Sequence, residues 1–138
     1  MYERFSPETQ IAVEWGRQLA RHCGERTVHT GHILYAILVI GRAYFPGLLI
    51  SNPDLLPQIA ERIQRPFPQG LVQTGFFRKN MSKSLMKSIE MSMYFTRYRG
   101  STEISFNDIV SGILHCGPNV ATFLLDEFGV DAKCLRTK

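Results

Sequence analysis

An internal repeat constrains this chain more than any single motif does. Residues 5–49, moved along by 76 positions, fall on residues 81–125 without a gap. Ser6 then meets Ser82, Glu14 meets Glu90, Arg21 meets Arg97 and Gly24 meets Gly100. Ile33, Ile37, Leu38 and Gly41 meet Ile109, Ile113, Leu114 and Gly117, and Leu48-Leu49 meets Leu124-Leu125. A repeat sets the unit of architecture before local structure is assigned. Two copies predict a closed pseudo-twofold pair, because an open solenoid needs three or more units.

Each copy reads as helices. Ser6-Pro7-Glu8 is a helix start, with a serine cap, proline in the first turn and an acid to oppose the dipole. Apolar or small residues follow at helical spacing: Thr9, Ala12, Val13, Gly16, Leu19 and Ala20 in copy one, and Leu85, Ser88, Ile89, Ser92, Phe95 and Thr96 in copy two. Gly16 opposite Ser92, and Ala12 opposite Ser88, predict close approach to another element. Gly24 and Gly100 end these helices as left-handed caps. A second, very apolar helix spans Ile33–Leu38 and Ile109–Leu114, with Thr30 as the expected cap of the first and a Ser105/Asp108 capping box in the second. Gly41 and Gly117 close it. A third helix carries Leu48-Leu49 or Phe123-Leu124-Leu125, and a fourth begins at Asp54 or Asp131. No strand pair with hairpin punctuation is apparent. The expectation is an all-α chain: repeat one over 1–65, a linker over 66–80 in which Phe76 and Phe77 could dock on the core, and repeat two over 81–138. The two four-helix units would pack face to face as one pseudo-twofold globular domain.

Composition narrows the classes further. At 138 residues the chain is one domain's worth, and half of it would be marginal alone. A hydrophobic fraction of 44% excludes a disordered tail. The longest apolar run, Ile33 to Ile40, falls well short of the roughly 20 residues of a membrane-spanning helix. Met1 leads straight into Glu3 and Arg4 without a leader pattern, and three cysteines in no framework spacing fit free thiols, so a cytoplasmic protein is expected. A net charge of +4 suits an acidic partner without naming one.

The order of these residues resembles the Clp N-terminal repeat domain, which stands at the front of Clp-family AAA+ unfoldases. MYERFSPET looks like that family's M-F-E-R-F-T start. GERTVHTGHIL and, in copy two, GSTEISFNDIV stand where the family has a pattern like G-H-N-Y-I-G-T-E-H-I-L. NVATFLLDEFGVDAKCLR resembles its closing V-A-x-x-L-x-x-L-G-V-D-x-x-x-L-R. The resemblance covers almost the whole chain. It implies a non-catalytic helical module, without cofactor, that captures protein substrates or adaptors for a Clp unfoldase–protease ring, in cis or in trans. The alternative is a stand-alone accessory or regulatory protein of that system. No P-loop pattern occurs, so an ATPase motor would lie beyond Lys138. In one branch of the family, carboxylates before the histidine of T-E-H help recognise phosphorylated arginine. Gly31 and Asn107 stand at those positions here, and neither offers a charge to a guanidinium. The expected protein contacts are Tyr2, Arg4 and Ser6 from copy one and Met81, Ser82 and Lys83 from copy two, with Gly31 and Asn107 beside them. Tyr2 and Met81 would be the exposed edges of two related grooves framed by the first helices.

Other chemistry ranks lower. His22, Cys23, His29 and His32 are close enough to suggest zinc, but their spacing matches no common site, and buried residues account for them better. Cys23 beside His22 or His32 lacks a third, orienting group for nucleophilic catalysis. Lys79, Lys83 and Lys87, with Arg78, Arg97, Arg99, Tyr94 and Tyr98 nearby, could meet nucleic acid, yet acidic protein docking ranks above it. The methionines of copy two, Met81, Met86, Met91 and Met93, are mostly packing residues, of a kind that also suits varied apolar partners.

Overall fold

The computed structural model describes residues 4–75, 80–131 and 135. Tyr2, Phe76, Phe77, Arg78, Lys79 and Cys134 lie outside the described residues, as does most of the segment expected to form a helix from Asp131. Within the described residues the chain forms a two-residue strand β1 (Arg4–Phe5), then helices α1 (Pro7–His22), α2 (Thr30–Ile40), α3 (Pro46–Ser51), α4 (Leu55–Arg62) and α5 (Lys83–Tyr98). A second short strand β2 (Glu103–Ile104) precedes α6 (Phe106–His115) and α7 (Val120–Glu127). The architecture is all-α and repeats as the alignment predicts, α1, α2 and α3 matching α5, α6 and α7. No single described helix is long and apolar enough to cross a membrane.

The starts and stops follow from the residues that punctuate them. Ser6 Oγ accepts from Thr9 N at 3.3 Å, and Ser82 Oγ from Leu85 N at 3.1 Å, so the two leading helices open with the same serine cap. Gly24 and Gly100 follow them at φ 74° and 78°, where a side chain would be strained. The closing glycines of the second helices differ from expectation. Gly117 is left-handed at φ 93°, whereas Gly41 has φ −101° and is held to glycine by packing: a Cβ there would lie 2.7 Å from Phe106 Cε2. Thr30 is not the cap of α2. His29 takes that place, because the Thr30 hydroxyl is drawn across to the other repeat.

Each leading helix packs on its own second helix through small residues. In repeat one the gap is made by Gly16, whose added Cβ would sit 2.6 Å from Ile33 Cδ1. In repeat two Ser92 replaces it and the glycine moves to the partner helix: a Cβ on Gly112 would lie 2.2 Å from Ser88 O. Position 112 is the counterpart of Ala36. The close approach is kept while the helix that supplies the glycine changes.

The repeats interlock at their beginnings. β1 pairs in parallel with β2 in the register Arg4↔Glu103 and Phe5↔Ile104. Its pseudo-twofold image is the parallel bridge Val28↔Met81. Ser6 N donates to Ile104 O at 3.0 Å and Ser82 N to Val28 O at 2.9 Å, so each repeat's leading strand binds a loop of the other. These strands pair across distant parts of the chain, which is why no hairpin signal announced them.

The core runs through α2, which is buried on nearly every side, from Thr30 to Leu38 with only Tyr35 partly open. It carries α1 on one flank, α4 on another and α7 of the second repeat on a third. The start of the linker is also tied down. Phe67 packs edge-on against His29 at 5.4 Å and Phe123 at 5.9 Å, and Arg62 stacks over its ring at 4.2 Å while bonding Glu127 at 3.3 Å.

Candidate protein-binding groove

Because each leading helix spends its small-residue face on its own second helix, α1 and α5 do not pack closely on one another. Their adjacent flanks enclose a groove of about 440 Å³ on the pseudo-twofold axis. From α1 it is lined by Gln10, Val13 and Arg17, and from α5 by Met86, Ile89, Glu90 and Met93. Phe5, its counterpart Met81, and Ile104 form the end where the strands cross, with Arg4 beside them. Gln10/Met86, Val13/Ile89 and Arg17/Met93 are equivalent pairs, so the groove is built twice from one skeleton with two sets of side chains. Aromatic, branched and methionine side chains make an adaptable apolar surface, and three charged residues lie around it.

The symmetry is broken by the linker. Gln73–Gly75 lies antiparallel along the leading strand of repeat two, with Gly75 N donating to Met81 O at 2.7 Å and Lys83 N to Gln73 O at 2.6 Å. Gly75 presses on the groove wall, since a Cβ on it would lie 2.0 Å from Met86 Sδ. Among the described residues the two related grooves expected meet in one, lined by both leading helices, and residues 73–75 occupy only the strand edge of repeat two. Along β1 the matching edge is blunted. Gln10 Nε2 donates to Phe5 O at 3.2 Å, and Pro7, in place of Lys83, has no N–H to offer.

The expected contact residues separate in the structure. Arg4 is exposed on β1 and lines the groove. Tyr2 lies outside the described residues. Met81 lines the groove too, but at 7% exposure it belongs to the floor and is not the exposed edge expected for it. Ser6 and Ser82 are spent on capping, and Ser82 is fully buried, so it is not a contact. Lys83 is exposed on the first turn of α5 outside the groove. Gly31 is also corrected. It is buried where α2 meets α7, and a Cβ there would lie 2.7 Å from Val120 Cγ1 and 3.0 Å from the His29 ring. Its burial comes from packing between the repeats, which leaves no room for a carboxylate-bearing side chain. Asn107 is half-buried on α6, away from the groove. Sequence reasoning missed Gln10, Val13, Arg17, Ile89 and Glu90 as groove residues. The signal was available: these positions occupy one helical stripe, beside the small-residue face, in both copies.

The histidines form a different arrangement from the one expected of a metal cluster. His22 is exposed and Cys23 half-buried, while His29 and His32 are buried with their rings stacked at 3.6 Å. Glu25 Oε2 lies 3.7 Å from His29 Nε2, and one potential ligand atom from each of these three residues falls within 4.8 Å of the others. However, His29 Nδ1 accepts from Gly31 N at 3.1 Å and His32 Nδ1 accepts from His29 N at 3.0 Å. A neutral imidazole that accepts at Nδ1 carries its proton on Nε2, which is then a donor and not a metal ligand; in His29 that donor faces Glu25 beyond hydrogen-bond distance. The residues therefore do not fit a metal without giving up the start of α2. Burial, and for His29 the neighbouring His32, lowers their pKa values, to about 2 for His29 and about 4 for His32. In repeat two the same positions are Ser105 and Asp108, which cap α6: Asp108 N donates to Ser105 Oγ at 3.3 Å, and Ser105 N to Asp108 Oδ2 at 3.0 Å. Burial alone would raise the Asp108 carboxyl, but the Arg99 guanidinium, the Ser105 N–H and the Thr96 hydroxyl outweigh it and hold it below its usual value.

No family model matches the sequence, and no characterised protein matches it by sequence similarity. Solved structures do. The N-terminal domain of the caseinolytic-protease-associated chaperone ClpD from Arabidopsis thaliana superposes with a TM-score of 0.74 at 17% identity, covering 98% of this chain and 91% of that one. The Hsp104 N-terminal domain from Candida albicans gives 0.74 at 12% identity, covering 97% and 87%. A chain from a malarial protein secretion system gives 0.70 at 14% identity, covering 95% and 88%. The chain has the Clp N-terminal domain fold.

Proposed function

We propose that this chain is a non-catalytic protein-binding module of the Clp/Hsp100 unfoldase system, holding substrate or adaptor segments reversibly in the groove between α1 and α5. Capture of this kind raises the local concentration of a client near a ring's pore, whether the ring is joined to the module or meets it in trans. One observation carries the reading: an open, methionine-rich apolar groove on the pseudo-twofold axis of a fold shared with chaperone N-terminal domains. The polar residues around it suit binding better than catalysis. Arg4, Arg17 and Glu90 stand at its edge with no nucleophile–base pair among its lining residues.

The test is binding of a reduced, alkylated, permanently unfolded protein, followed by fluorescence anisotropy. Wild type should bind it reversibly. Ile89→Asp, which places a charge in the groove wall, should bind at least about tenfold more weakly with an unchanged far-UV spectrum. Equal binding by the two proteins would rule the groove out. A protein that binds neither unfolded chains nor a Clp ring or adaptor, while keeping its fold, would remove the assignment altogether.

A further inference from the structure

The groove is apolar on its floor but not neutral at its edge. Two arginines, Arg4 and Arg17, line it against one carboxylate, Glu90. Neither guanidinium has an ion-pair or hydrogen-bond partner among the described residues. That sets them apart from Arg62 and Arg99, which are engaged with Glu127 and Asp108. Their counterparts one repeat on are Asn80 and Met93, so the shared skeleton does not require positive charge at these places. A guanidinium beside apolar surface is a strong receptor for a carboxylate, because its fork can donate two parallel bonds where water is partly excluded.

The same end of the groove disfavours backbone recognition. In repeat two an extended segment is held by Met81 C=O and Lys83 N–H. In repeat one the matching carbonyl is already bonded by Gln10 and the matching donor is missing at Pro7. A ligand there must be held by side chains.

We infer that the groove selects protein segments in which an acidic side chain lies close in sequence to an apolar anchor. The anchor enters between Phe5, Ile89 and Met93, and the carboxylate pairs with Arg4 or Arg17 at the edge. The inference rests on the reading of the groove as the protein-binding site, and the two fail differently.

Three end-blocked fluorescent peptides separate them, sharing one Leu-Phe anchor and differing only in an adjacent Asp, Asn or Lys. With the full-length protein at about 0.05 M salt, the Asp peptide should bind about tenfold tighter than the Asn peptide, and the Lys peptide weakest. The preference should shrink at about 0.5 M salt, where exposed charges are screened. It should vanish in R4Q/R17Q, which should bind the Asp and Asn peptides equally, with an unchanged far-UV spectrum and denaturation midpoint to report an intact fold. Equal binding of the Asp and Asn peptides by wild type, or an Asp preference that survives in R4Q/R17Q, would overturn the inference while leaving a protein-binding groove in place. Binding of none of the three would remove both.

Discussion

At position 32 one repeat has histidine and at the matching position 108 the other has aspartate, yet the two do the same work. Each accepts the backbone N–H three residues before it and so opens the second helix of its repeat. The exchange makes that start sensitive to acid. A histidine whose folded pKa is lowered binds fewer protons folded than unfolded, so its contribution is complete above its unfolded value near 6.5 and is lost as pH falls from there toward the folded value. Glu25, raised by burial, works in the opposite sense and softens the loss. Asp108, held low, keeps its contribution until pH falls through its own range, below 3.8. Stability should therefore decline below about pH 6.5, by at most about 1.4 kcal/mol per pH unit per histidine. H29N/H32N, with amides that still accept the same N–H groups, should lose that slope. Urea titrations at several pH values between 4 and 8 check this, and parallel profiles for the two proteins would contradict it.

A second single-residue prediction concerns Thr30. Its hydroxyl donates to Asn119 Oδ1 at 2.8 Å and accepts from Ala121 N at 2.9 Å, joining α2 to the start of α7 across the repeats. Thr30→Val leaves the Ala121 N–H without its acceptor and should cost about 1–3 kcal/mol in chemical denaturation. At this scale the sequence was only partly legible. Ser6, Ser82 and the Ser105/Asp108 box could be read because a cap is a local pattern. Thr30 looked like a cap for the same reason, but its real partner lies 89 residues away, beyond the reach of any local rule.

Among elements, the decisive feature is where the small residues sit. Gly16 and Gly112 do the same job from opposite helices of their pairs, but their surroundings differ. A methyl on Gly16 meets the tip of the Ile33 side chain, which can turn away; one on Gly112 meets the Ser88 backbone carbonyl, which cannot. Gly112→Ala should destabilise by about 1–3 kcal/mol through overpacking. Gly16→Ala should cost clearly less: both variants gain about 1 kcal/mol of helix propensity, and only at Gly16 can the clashing atom turn away. Denaturation midpoints of the two variants decide it, and equal losses would contradict the packing described. The helices themselves were legible from periodicity. The groove was not, since a groove is what remains when two helices each turn their best face elsewhere, and sequence shows the faces but not the gap.

For the whole molecule, the exchange of leading strands and the shared burial of Phe67 tie the repeats into one cooperative unit. Trp15 fluorescence, which reports on repeat one, and far-UV circular dichroism should give coincident urea transitions. Separated transitions would mean that the repeats unfold independently. The doubling in the sequence specified this skeleton well but was silent on function, because equivalent positions of the groove carry different side chains, Gln10 opposite Met86 and Arg17 opposite Met93.

The most direct test follows the methionine methyl resonances while an unfolded client is added. Met81, Met86 and Met93 line the groove, whereas Met91 is half-buried on α5 outside it and serves as an internal control. The account predicts shifts or broadening at Met81, Met86 and Met93 with Met91 little changed. Client binding that leaves those three unmoved would contradict it.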